Sequence, residues 1–267
     1  MPSERENIAI AEVAVYSIFI FPAIYVCIRH GYIRQLGWLY LVIFCGLRIA
    51  AGIMGIEFAK HPDSRTDGTW SAILGSIGLS PLLLVGIGLL ERINGFLNGK
   101  KAIMLALRLL HIPIILGLIV AIIGGNKISS TNTDTQNDGQ TYEKAGGILL
   151  LVSYLVFLGL AILTMAELNN LPPGEKRILF AVLASLPLIA VRLLYSLLAD
   201  FKNDDTFNIL AGNVTVQLCM AIIEEMICVA IFLASGITSP SYKEIKRREG
   251  QMGMGQKPAP QYVQNVA

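Results

Sequence analysis

Charge is scarce in this sequence. Asp, Glu, Lys and Arg together supply 15% of its 267 residues, against about a quarter in a soluble domain. A chain so poor in charge and 54% hydrophobic is excluded from the ordinary globular class. Histidine is scarcer still: only His30, His61 and His111 occur, far apart in the chain. A catalytic zinc takes about three protein ligands, so that shortage counts against metal hydrolases, and no metal or cofactor is assigned. The four cysteines, Cys27, Cys45, Cys219 and Cys228, all fall inside apolar runs. None is placed for a disulfide in an outer loop, and burial as small packing residues is expected. No Gly-x-Ser-x-Gly elbow, phosphate loop or Cys-x-x-Cys-His haem motif is present, so no catalytic residue is assigned and an enzyme is not expected.

What the chain has in abundance is apolar runs long enough to cross a bilayer, about 20 residues each. Seven are read, at 8–28, 38–58, 70–90, 102–123, 146–166, 178–199 and 209–235. The expected fold is an all-α bundle of seven transmembrane helices occupying residues 1–239. Pro22, Pro81, Pro113 and Pro187 fall inside these runs, which spanning helices tolerate when neighbours satisfy the freed carbonyls. The third run is the least apolar, diluted by Gly75, Gly78, Gly86, Gly88 and Ser80-Pro81.

The net charge of +2 says little, but its distribution gives an orientation. With the N-terminus outside, 12 of the basic residues in connecting segments lie inside and 6 outside, which supports an N-out, C-in topology. Ser3-Glu4-Arg5-Glu6 lacks the basic start of a signal peptide, and no cleavage is expected. Residues 240–267 read as a cytoplasmic, largely disordered basic tail, with Lys243, Lys246, Arg247 and Arg248 beside the membrane. They fit either contact with anionic lipid or a topological signal alone. The polar segment 126–144 reads as a mobile outer loop. The expected setting is the plasma membrane or another membrane of the secretory pathway. The expected partners are membrane lipids and a small-molecule ligand, with no nucleic acid.

Several runs carry an ionisable residue near their middle, where charge is costly unless it meets a partner or water. Arg48, Arg192, Glu224 and Glu225 are those residues. At 100° per residue Asn213, Gln217 and Glu224 share a face of the seventh helix, and Glu225 points about 100° away. On the second helix Cys45, Arg48, Gly52 and Gly55 share a face on which a neighbour can approach closely. Side chains lean toward the helix N-terminus, which brings Arg192 and Glu224 together in depth, with Arg48 central and in reach of either glutamate. A balanced cluster of two arginines and two glutamates is expected. It serves as a packing lock, a site for a polar or anionic ligand, or a switch. Arg108 is expected to snorkel to the inner surface, His111 to be a hydrogen-bonded packing residue, and Glu12 and Glu57 to be solvated at the outer boundary. The second and sixth helices each hold one deep arginine and end at an acid, Glu57 or Asp200. Helices 1–3 and 5–7 are thus candidate parallel repeats around a fourth linking helix.

Glu224-Glu225 is similar to the paired glutamates of intramembrane abortive-infection-type proteases. Those require an arginine four residues after the second glutamate, where this chain has Val229. The combination of Arg48-Ile49-Ala50-Ala51-Gly52, Gly78-Leu79-Ser80-Pro81-Leu82-Leu83 and Arg192-Leu193-Leu194-Tyr195-Ser196 resembles a fungal family of integral membrane proteins classified only as a domain of unknown function. The resemblance runs from about 11 to 235. It implies seven helices in a membrane and brings no established activity or site residue. A transporter-like protein handling a small polar or anionic molecule or lipid at mid-membrane is the leading expectation. A receptor-like protein and a structural membrane protein are the alternatives.

Overall fold

The computed structural model describes residues 4–31, 36–61, 64–97, 101–130, 132–201, 214–241 and 244. Every regular element among them is helical. α1 (Glu4–His30), α2 (Leu36–Lys60), α5 (Lys101–Ile128), α6 (Thr133–Met165) and α7 (Pro173–Phe201) are each continuous. The third span divides into α3 (Arg65–Ile77) and α4 (Leu79–Asn94). The seventh consists of α8 (Val214–Gln217), a π turn (Leu218–Ile222) and α9 (Ile223–Thr238). A 3-10 turn, Leu168–Asn170, links α6 to α7. Seven helices are therefore long and apolar enough to cross a membrane. The expected all-α, seven-helix class is the one observed, as it must be where lipid offers no partner to backbone amides.

Neighbouring spans pack in chain order from α1 to α9, and α9 closes the ring against α1. α4 sits innermost, touching α2, α5, α6 and α7, with every residue but Glu91 buried. Its glycines explain how it fits. A Cβ on Gly88 would lie 2.5 Å from the Gly37 nitrogen of α2, so the two backbones touch where no other residue fits. Gly52 likewise admits Val13 and Ala9 of α1 against α2. Ile18, Phe21 and Ile28 on α1 and Leu105, Leu109 and Ile112 on α5 face outward, toward lipid.

The break at Gly78 has a local cause. Pro81 has no N–H for the carbonyl four residues back, at Ile77, and its ring crowds that carbonyl. In α4 it occupies the first turn, where a proline costs least. Pro22, Pro113 and Pro187 lie inside continuous helices.

One sequence expectation is overturned. The polar segment 126–144 is not a loop, because α5 continues to Ile128 and α6 begins at Thr133. The Asn132 side chain caps α6, accepting from Asp134 N at 3.0 Å. Gln136 Nε2 donates to the Ser130 carbonyl at 2.7 Å, and Gly124 packs against the Gly139 carbonyl across the hairpin. The 33 residues of α6 extend about 50 Å, well beyond a hydrocarbon core of about 30 Å. Its polar first turns stand clear of the bilayer. Lys243, Lys246, Arg247 and Arg248 lie outside the described residues.

Candidate functional site

Four charged side chains from four helices meet inside the bundle. Arg48 of α2 donates from Nη1 to Glu12 Oε1 of α1 at 3.3 Å, and its Nη2 pairs with Glu225 Oε2 of α9. Arg192 of α7 donates from Nε to the other oxygen of Glu225 at 2.7 Å. Its Nη2 reaches the Gly75 carbonyl of α3 at 3.0 Å. Glu225 is wholly buried and the other three nearly so. A single carboxylate therefore neutralises two guanidinium groups, and Glu12 completes a closed set of two positive and two negative charges. Such pairing is what makes charge tolerable at this depth. Arg48 also lies 5.7 Å from the Phe44 ring centroid and Arg192 5.6 Å from that of Tyr195, both within cation–π range.

Backbone irregularities surround this network. The Arg48 guanidinium packs on Gly78, where a Cβ would collide with it. The carbonyl that Arg192 captures, Gly75, belongs to the last turn of α3. On the seventh span the π turn ends at Ile222, two residues before Glu224. π turns insert one extra residue per turn and concentrate at functional sites.

The expected candidates divide. Arg48, Arg192 and Glu225 are brought together, as the buried-charge reading required. Glu224 is not the second glutamate of the balanced set; that place belongs to Glu12, which is buried rather than solvated at the boundary. Glu224 and Gln217 are half-buried, and Asn213 lies outside the described residues. Within the network Tyr16 Oη and Arg48 Nε are buried with no hydrogen-bond partner among the described residues, and so is Oε2 of Glu224, the chain neighbour of Glu225.

A second constellation escaped sequence reasoning. At the end of the bundle that contains the C-terminus of α1, Arg92 of α4 grips Glu175 of α7. Nη2 donates to Oε1 at 2.6 Å, and Nε lies 3.1 Å from both oxygens. Arg92 Nη1 contacts His30 Nδ1 at 2.8 Å. A guanidinium only donates, so Nδ1 accepts and Nε2 carries the proton, donating to the Gly236 carbonyl at 2.9 Å. The His30 ring stacks on Trp38, centroids 5.2 Å apart. Arg29 and Arg177 donate to the carbonyls of Ile237 and Thr238, and Arg92 Nη2 to that of Pro240. The last carbonyls of α9, which a helix leaves unsatisfied, are thus closed by donors from α1 and α7, and Arg92 of α4 takes the Pro240 carbonyl just beyond them.

The remaining readings are simpler. His111 Nδ1 donates to the Leu107 carbonyl, 3.1 Å away, as expected of a packing residue, and Arg108 is exposed. Cys27, Cys45 and Cys228 are buried, whereas Cys219 in the π turn is exposed. No group of three or more potential metal ligands is found among the described residues.

Seven apolar helices around paired buried charges define a multi-pass integral membrane protein. The chain belongs to the family described as Domain of unknown function (DUF7702), whose profile matches residues 3–242. No curated protein and no solved structure matches it.

Proposed function

We propose that this membrane protein is transporter-like, passing a small polar molecule or a lipid headgroup across the midplane by rearranging its helices around Glu225. The supporting observation is that Glu225 ties α2 to α7, through Arg48 and Arg192, at a level where two spans are irregular. Interrupted helices around a buried polar site are a recurrent feature of transporters. A network of paired charges exchanges partners with less loss than an unpaired charge, so it suits a structure with two arrangements. An anionic substrate competes with Glu225 or Glu12 for an arginine; a neutral polar one passes beside the closed set. The two arginines occupy corresponding places in α1–α4 and α6–α9, which supports a parallel repeat with α5 as linker. The N-terminus is outside and the tail inside, in the plasma membrane or a secretory-pathway membrane, and the proposal includes no catalytic step.

A receptor-like role is the second reading, favoured by the ring closed by α1 and α9 around the central α4. Reconstitution separates the two. Purified protein in vesicles should accelerate dithionite bleaching of inner-leaflet fluorescent phospholipid, or uptake of one member of a panel of labelled sugars, amino acids and carboxylates. Glu225→Gln should abolish the effect. Folded protein that moves none of these shifts the assignment to the receptor-like reading.

A further inference from the structure

The network leaves one charge over. Glu12, Arg48, Glu225 and Arg192 satisfy one another, while Glu224, the neighbour of the shared carboxylate, forms no ion pair with any described residue. Its Oε2 is closed off from solvent and has no hydrogen-bond donor among the described residues. The charges acting on it are Arg192, already committed to Glu225 and Gly75, and Glu225 itself, which repels it. Cys228, one turn further along α9, also lies within its field.

Glu224 is half-buried, and an ionised carboxylate with one oxygen closed off and no donor on it is expensive where the surroundings are hydrocarbon. Either a metal cation or a proton removes the expense. A hard cation requires several oxygen ligands, and no group of potential ligands is assembled among the described residues. A proton requires a single oxygen. We infer that Glu224 binds a proton taken from the aqueous phase, and that this proton is the coupling ion of the transporter-like cycle. This rests on the reading above. The step is a simple association: one proton moves from water to the Glu224 carboxylate, and no other covalent bond changes.

The consequence for the fold is direct. With the proton bound, Arg192 stays with Glu225. With the proton released, Glu224 becomes a second anion in reach of Arg192's field, and the arginine is drawn from one glutamate toward the other. The π turn just before Glu224 supplies the play in the backbone. Relaxing its extra residue into α-helix rotates Glu224 and Glu225 relative to α8.

Infrared difference spectroscopy of the full chain in lipid vesicles tests this between about pH 5 and pH 9. The expected result is a protonated-carboxylic-acid C=O band that diminishes as pH rises, shifts down in D2O and is lost in Glu224→Gln. Glutamate labelled with carbon-13 separates the band from aspartate, and a Glu143→Gln background removes the other glutamate expected to titrate in this range, even if the Glu224 variant folds poorly. Absence of a glutamate band, or a band that neither titrates nor exchanges, overturns the inference. Vesicle flux without the Glu224 band leaves the transporter-like reading standing without its proton. The band without any flux supports proton binding and removes the transport cycle.

Discussion

Arg92 and Glu175 hold each other by two guanidinium nitrogens, Nη2 at 2.6 Å and Nε at 3.1 Å, with the carboxylate fully enclosed. The pair fastens the innermost helix α4 to the start of α7. Removing one member strands the other, which costs about 3–5 kcal/mol, whereas replacing both with apolar residues is often near neutral. Arg92→Leu and Glu175→Leu should each lower the melting temperature in detergent strongly, and the double variant should recover most of the loss. Additive losses in the double variant would mean that the pair is not coupled.

Glu225 carries more than either arginine, and single-site variants should rank accordingly. Glu225→Leu uncovers two guanidinium groups, so it should reduce folded yield more than Glu12→Leu, which uncovers part of one. Arg192→Leu leaves Glu225 still paired with Arg48 and should fall between them. Size-exclusion yield in mild detergent measures the order. A Glu12 variant as damaging as the Glu225 variant would contradict the shared-carboxylate geometry.

Gly78 should resist even a methyl group. Its Cβ position is taken by the Arg48 guanidinium, with Nε only 2.9 Å away. Gly78→Ala therefore displaces Arg48 from Glu12 and Glu225, at a cost of about 1–3 kcal/mol. Gly46→Ala on α2 is the control, because nothing lies within 4 Å of its Cβ. It should be neutral or gain up to about 1 kcal/mol from helix propensity. Thermal melts of the two variants give the comparison.

The seven spans were legible because a bilayer demands a long apolar run and little else. The buried arginines were legible for the complementary reason, that charge in such a run needs a partner. The partners were harder to read. Glu12 sits only two turns into α1, so depth alone assigned it to the boundary. Its face carried the missing signal: Glu12, Tyr16, Ala23, Cys27 and His30 fall within about 60° on a helical wheel, and all five are buried. The π turn had no sequence mark. No sequence signal singled out Arg92 and Glu175, since their meeting depends on how α4 and α7 cross. The polar turn at Asn132 was misread because composition suggested a loop where a cap and a close glycine contact extend both helices.

Antiparallel packing of successive spans puts the Asn132 turn and the end of α9 at opposite ends of the bundle, so one labelling experiment orients both. Asp134→Thr creates the sequon Asn132-Thr133-Thr in the hairpin. Gln251→Asn with Gly253→Thr creates one in the tail. The excess of basic residues at the tail end predicts glycan on the first variant and none on the second. The opposite pattern would invert the orientation.

His30 should hold the exit of α9 by its two ring nitrogens, beyond whatever its stacked ring contributes. His30→Phe keeps a ring against Trp38 and removes both the Arg92 contact and the bond to the Gly236 carbonyl. Ser241, buried just past the α9 end, provides the reporter. In a Cys219→Ser background the other cysteines are buried, so maleimide labelling of Ser241→Cys reads opening of this end. Labelling is slow while Arg29, His30, Arg92 and Arg177 close the terminal carbonyls. Each lost hydrogen bond removes about 1 kcal/mol, and about 1.4 kcal/mol is tenfold in population. His30→Phe, losing two contacts, should therefore speed labelling roughly tenfold or more. Arg177→Gln, losing a single exposed one, should change it several-fold at most. Equal rates in wild type and His30→Phe would show that apolar packing of the Pro240 ring on Gly174 holds this end, with the hydrogen bonds incidental.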